Sequence, residues 1–194
     1  SRRDGYCIVT LSWVFFTLFG MLPFYLSGSI DSLTNAFFET MSGFTTTGAT
    51  ILDDIESLSH GMLFWRSLTQ WIGGLGIVFF TIAVLPAFTS GGVQLFSAES
   101  TGVTHDRTHP KINVMAKWLW TVYLILTLAE TILLMLGGMS LFDAVCQSFA
   151  TTATGGYSTK QASISYWNSP FIEYVVAIFM LLSGVNFALF LMCL

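Results

Sequence analysis

The chain has 194 residues, 54% hydrophobic and 15% aromatic but only 9% charged, where soluble domains carry roughly 25%. That balance excludes an ordinary soluble domain and describes an all-α integral membrane protein. The formal charge of −4 says little about partners beyond the lipid bilayer, and no nucleic acid is expected among them.

Four nearly uncharged stretches reach the ~20 residues that cross a hydrocarbon core: Tyr6 to Leu26, Ser67 to Phe88, Trp118 to Leu136 and Tyr174 to Leu194. The first is a true span rather than a signal peptide, because it has no clear small-residue cleavage site. Between the first two spans lies a short helix, Asp31 to Phe44, with Asp31 or Ser32 as its N-cap. Between the last two lies its counterpart, Ser140 to Thr152, capped by Ser140. Helices of about 10–14 residues suit re-entrant segments rather than complete crossings. Each runs into a polar, glycine-containing loop: Ser42-Gly43-Phe44-Thr45-Thr46-Thr47-Gly48-Ala49-Thr50, then Ala150-Thr151-Thr152-Ala153-Thr154-Gly155-Gly156-Tyr157-Ser158-Thr159. Irregular backbone at membrane depth is tolerated only where protein buries it or a water-filled cavity needs it.

Shifted against itself by 108 positions, the chain pairs Ser32 with Ser140, Leu33 with Leu141, Ala36 with Ala144, Thr46 with Thr154, Gly48 with Gly156 and Gly76 with Gly184. The register holds from loop to following helix, and internal repeats are common in membrane transport proteins. The expected organisation is two span–pore helix–loop–span units, residues 1–88 and 112–194, joined by a cytoplasmic linker at 89–111. Because the chain begins at Ser1 and stops inside the apolar run Phe187 to Leu194, it is expected to be part of a longer protein.

Re-entrant helices return to the side they came from, so both loops open on one face. Arg2, Arg3, Arg107, Lys111 and Lys117 on one side, against Arg66 and Lys160 on the other, place the N-terminus and the linker in the cytoplasm. The outer face then carries Asp31, Asp53, Asp54, Glu56 and Glu173, which either concentrate cations or are ordinary solvated loop charges.

A dehydrated alkali cation needs oxygens in place of its water, and rings of backbone carbonyls supply them without fixed charge. Gly48 and Gly156 allow backbone angles that turn successive carbonyls toward one axis. The threonines add hydroxyl oxygens, and the short helices aim the negative ends of their dipoles at the loops. One Thr/Gly-rich stretch alone reads as a turn; two in matching register read as a pair of cation-filter loops.

Three segments carry a family resemblance: Phe38-Glu39-Thr40-Met41 with the first loop, Phe64-Trp65-Arg66-Ser67-Leu68-Thr69-Gln70-Trp71-Ile72-Gly73-Gly74-Leu75-Gly76-Ile77, and Ser148-Phe149 with the second loop. Together they closely resemble the TrkH family, membrane subunits of bacterial Trk potassium uptake systems within the Trk/Ktr/HKT superfamily. The resemblance implies four such units around one pore, of which this chain holds the first two. It places K⁺, the transported ion, on Thr46, Thr47 and Gly48 and on Thr154, Gly155 and Gly156. Glu39, Thr45, Ala49 and Tyr157 then support the loops. A glycine at position 48 goes with potassium selectivity, while the second loop departs from the first in having two adjacent glycines. The resemblance further implies a homodimer in the bacterial inner membrane, gated by a cytoplasmic nucleotide-binding subunit of the TrkA type. No organic cofactor and no enzymatic step is expected of this chain.

Other residues have a bland and a sharper reading. Glu130, an acid inside an apolar span, either lines an ion path or packs against a neighbouring helix. Glu39 aligns with Gln147 and braces the first loop rather than binding the ion, because a fixed charge would hold a cation too tightly. Gly73, Gly74 and Gly76 permit close helix contact, and Gly184 is either their equivalent or a hinge near Asn186. His105, Asp106 and His109 form a solvated loop with no third metal ligand in view, and His60 stands alone. Cys7, Cys146 and Cys193 have no metal or redox spacing. Tyr6, Trp65, Trp118, Trp120, Tyr166 and Trp167 fit an interfacial belt. A sodium-permeable relative, an intramembrane enzyme or carrier, and a purely structural subunit are the competing functions.

Overall fold

The computed structural model describes residues 2–76 and 109–184, and those residues form helices and loops with no strand among them. The first expected span is found in two pieces, α1 (Arg2–Gly20) and α2 (Leu22–Leu26). Pro23 has no amide hydrogen to give to the carbonyl four residues earlier, which interrupts the ladder. α2 ends on Gly28, at φ +67°, where Gly28 N–H donates to Tyr25 O and Ser29 N–H to Phe24 O.

The re-entrant helix α3 (Leu33–Phe44) starts behind Ser32, whose Oγ accepts from Asn35 N–H at 3.5 Å. Helix α4 occupies 60–76, so it begins seven residues before the apolar stretch that announced it. α5 (His109–Leu136) is the one described helix long and apolar enough to cross a membrane, over Lys117–Leu136. It starts inside the expected linker, of which 89–108 lies outside the described residues, as do His105 and Asp106. It closes on Gly138, at φ +98°. The second re-entrant helix α6 (Leu141–Thr152) follows Ser140, whose Oγ accepts from Asp143 N–H at 3.1 Å. A 3-10 turn (Ser163–Trp167) leads to α7 (Pro170–Gly184). Cys193, Asn186 and the far ends of the second and fourth spans fall outside the described residues.

Each unit packs around a small residue at the same place in the repeat. Ala36 and Ala144 are both fully buried, which lets each re-entrant helix approach its scaffold closely. Around Ala144 gather Leu134, Met139, Ile172, Val175, Val176 and Phe179; around Ala36, Phe24 and Ile30. Outward faces carry Phe15, Phe19, Leu26, Leu128, Ile132 and Leu136, as a lipid-facing surface requires. Trp71 joins the units: its indole donates to Thr127 Oγ1 at 3.1 Å and its carbonyl accepts from Tyr123 Oη at 3.1 Å. Trp65, expected in an interfacial belt, donates to Gly20 O at 2.9 Å and ties α4 to the end of α1.

Arg66, counted from the sequence among the cations at the outer span ends, is only 2% exposed and lies in the interior of α4 paired with Glu39. The helix begins at residue 60, so Arg66 lies within it although the apolar stretch begins only at Ser67.

Candidate functional site

Both re-entrant helices end in the same motif. Thr46 N–H donates to Gly43 O and Thr47 N–H to Ser42 O; Thr154 N–H donates to Thr151 O and Gly155 N–H to Ala150 O. These are the paired bonds of a helix stop whose left-handed residue is normally glycine. Here it is threonine, at φ +52° for Thr46 and +54° for Thr154. A β-branched residue in this region is an outlier costing about 1–3 kcal/mol, and such strain concentrates at functional sites. Two residues on, Gly48 and Gly156 are also left-handed, at φ +76° and +88°. The alternation of left-handed and ordinary backbone re-aims successive carbonyls instead of alternating them as a strand does. The left-handed positions of the 108-residue repeat thus coincide in the two loops.

The loops meet. A Cβ placed on Gly48 would lie 2.0 Å from Gly155 O, so only glycine fits there. Among the described residues, the main-chain carbonyls of Thr46, Thr47, Gly48, Thr154, Gly155 and Gly156 accept no hydrogen bond. Gly155 is buried while Thr47, Thr154 and Gly156 are exposed, and a buried carbonyl left unpaired, as that of Gly155 is, is uncommon in folded proteins. The neighbouring Ala49 carbonyl is, by contrast, committed: it accepts from Ser42 Oγ at 2.6 Å and Tyr157 Oη at 3.3 Å. Thr45 Oγ1 is also engaged, with Met41 O at 2.7 Å and Thr47 Oγ1 at 2.9 Å.

A buried polar network flanks the loops. Glu39 Oε1 receives Arg66 Nε at 2.7 Å and Thr50 Oγ1 at 2.9 Å, and Oε2 receives Ile51 N–H at 3.0 Å. Arg66 also donates to Ser158 O at 3.1 Å and stacks 3.5 Å from the Tyr157 ring centroid. Tyr157 Oη donates to Glu39 O at 2.8 Å, and Tyr157 N–H donates to Gln70 Oε1 at 3.1 Å. Glu39 and Tyr157 were expected near the loops; Arg66 and Gln70 were not. A signal existed for both, because polar residues four apart inside an apolar segment need partners.

The remaining candidates lie apart from the loop carbonyls. Glu130 is fully buried on α5 near the Thr151 and Thr152 hydroxyls, with no hydrogen bond of ordinary geometry. Gly73 packs on the Phe44 main chain, Gly74 on Ala153 and Gly76 on Trp13, while Gly184 has open space. His60 stacks edge-on against Phe142, with centroids 4.7 Å apart. Asp31, Asp53, Asp54, Glu56 and Glu173 are exposed, and Glu56 pairs with Lys160 at 3.6 Å. No cluster of three metal-ligating side chains occurs among the described residues.

The profile of the TrkH family, described as cation transport protein, matches residues 1–194. The chain belongs to the TrkH family. It is 47% identical to the Trk system potassium uptake protein TrkH of Escherichia coli K12 over 191 residues, 97% of this chain and 40% of that protein. It is 38% identical to the Trk system potassium uptake protein TrkG of the same strain, over 96% of this chain and 39% of that protein. The crystal structure of the potassium transporter TrkH from Vibrio parahaemolyticus matches with a TM-score of 0.82 at 40% identity, covering 96% of this chain and 37% of that one. The chain therefore spans about 40% of the length of the curated relatives it matches, which fits two of four repeated units.

Proposed function

We propose that the protein containing this chain moves potassium across the bacterial inner membrane through a pore lined by these loops. K⁺ would exchange its water for main-chain oxygens at Thr46, Thr47 and Gly48 and at Thr154, Gly155 and Gly156. Glu39, Thr45, Ala49 and Tyr157 hold the loops from outside the row of ligands. What carries the reading is the duplicated loop: two left-handed threonine–glycine turns, in contact at Gly48 and Gly155, with six unbonded carbonyls. Neutral oxygens of this kind bind a cation strongly enough to desolvate it and weakly enough to release it. The chain's part is transport, with no covalent step assigned to it.

Units 1–88 and 112–194, joined by a cytoplasmic linker at 89–111, form half of the pore in this reading, with both loops opening outward. Two further units complete it, and Gly156 is where the third loop sits, as Gly155 sits against Gly48. The face of α7 at Tyr174, Ile178 and Leu181, exposed here, matches by the repeat the α4 face of Arg66, Gln70 and Gly73 that packs on loop residues. A homodimer and a nucleotide-binding TrkA-type partner are proposed for the full-length protein by family likeness.

The test is growth at low external K⁺ of a bacterium lacking its own K⁺ uptake, expressing the full-length parent gene. Rescue by the wild type and failure of Gly48→Ser and Gly156→Ser support the reading. A well-accumulated wild type that carries Na⁺ equally well, or variants that rescue fully, overturn it.

A further inference from the structure

The Arg66–Glu39 pair does more than fill the interior. Arg66, on α4 of the first unit, grips both loops at once: through Glu39 it holds Thr50 and Ile51 after the first, and directly it holds Ser158 after the second. Tyr157 closes the circuit by sharing its one hydroxyl hydrogen between the Glu39 carbonyl at 2.8 Å and the Ala49 carbonyl at 3.3 Å, while its ring lies under the guanidinium. Both charged side chains are almost wholly buried, at 2% and 0% exposure. In that setting a lone charge is felt strongly by nearby groups, whereas the pair cancels to a dipole. The second unit holds neither member, with Gln147 and Tyr174 at the equivalent positions.

We propose that Arg66 and Glu39 are positioning residues that set the cation affinity and K⁺/Na⁺ preference of the paired loops, by locking the loops together and keeping net charge beside them at zero. The proposal rests on the reading that the loops carry cations, and its signature is a pair of opposite effects. Glu39→Gln leaves an unpaired guanidinium near the carbonyls, so KM for K⁺ rises. Arg66→Gln leaves an unpaired carboxylate, a stronger anionic field that favours the smaller ion, so K⁺/Na⁺ preference falls and KM does not rise. Removing both charges together returns KM toward the wild-type value.

The experiment measures K⁺ and Na⁺ uptake kinetics of the full-length parent and these three variants, normalised to the amount of each in the membrane. A KM increase of about tenfold or more in Glu39→Gln, reversed in the double variant, is the expected result. A merely structural pair predicts lower membrane amount and maximal rate in all three, worst in the double variant, with KM and ion preference unchanged; that result overturns the proposal. If the neutral variants fail to accumulate, Arg66→Lys decides: it keeps the charge but loses the planar fork, so K⁺/Na⁺ preference falls, and an unchanged ratio overturns the proposal. A wild type without K⁺ preference would instead remove the potassium reading, while opposite KM shifts for whichever cation is carried would leave the pair's role standing.

Discussion

The loop at Thr46–Gly48 and the loop at Thr154–Gly156 share their backbone turn by turn, and they differ in what surrounds them. The first has its glycine against a neighbour and its acid paired: Gly48 abuts Gly155, and Glu39 is satisfied by Arg66, Thr50 and Ile51. The second borders a cavity of ≈ 240 Å³ lined in part by Gln147, Thr151, Gly155 and Gly156. There Gln147 Oε1 is buried without a hydrogen bond, and a Cβ on Gly156 would meet nothing within 4 Å. An internal repeat thus conserves the local turn, which a short segment encodes by itself, while side chains beside it follow the neighbour each unit happens to have.

The largest expected effect tests that contrast at the two glycines. Gly48→Ala combines about 1–3 kcal/mol of backbone strain with a clash against the Gly155 carbonyl, and should abolish K⁺-dependent growth. Gly156→Ala carries the strain alone in the described residues, and equal loss of growth in the full-length protein is expected because a third loop is proposed there. A mild Gly156 phenotype would show that the asymmetry between the two sites persists in the complete pore.

Next in size is the helix following each loop. Gly73→Ala would bring a Cβ to 2.0 Å from Phe44 O, an overpacking cost of about 1–3 kcal/mol visible as a lower Tm of the purified protein. Gly184→Ala, with open space around it, should leave Tm unchanged or raise it, since alanine favours a helix by up to ~1 kcal/mol.

Glu130→Gln should change uptake less than about twofold and keep stability, read as Tm, within about 1 kcal/mol of the wild type, because the isosteric amide cannot ionise and its N–H₂ can donate to the nearby Thr151 and Thr152 hydroxyls. A large loss of uptake at normal membrane amount would move Glu130 into the ion path. The smallest effects belong to the caps: Ser140→Ala removes a 3.1 Å cap bond and a 2.7 Å bond to Asp143, for about 1 kcal/mol. Ser32→Ala, with a cap bond of 3.5 Å, should lower Tm less.

Much of this architecture is local and therefore legible. Ser32 and Ser140 announce their helices by side-chain capping, and Gly48 and Gly156 announce left-handed backbone because that region excludes most other residues. The repeat offset of 108 carries those features from one unit to the other, and even the strained threonines fall in register. The family-model match and the relatives agree with the resemblance those loops carry. Boundaries were less legible: Pro23 splits the first span, and α4 extends to residue 60 because amphipathic turns outside the apolar core still form helix.

By itself the sequence determined the two turns, their spacing and the helices that deliver them, since each depends on residues within a few positions of one another. Only the tertiary structure decided that Arg66 belongs to the interior, that Glu39 is its partner 27 positions away and Ser158 its acceptor 92 positions away, and that Gly48 faces Gly155. A buried charge takes whichever opposite charge the packing brings within reach, and two loops touch only after the helices beneath them have docked.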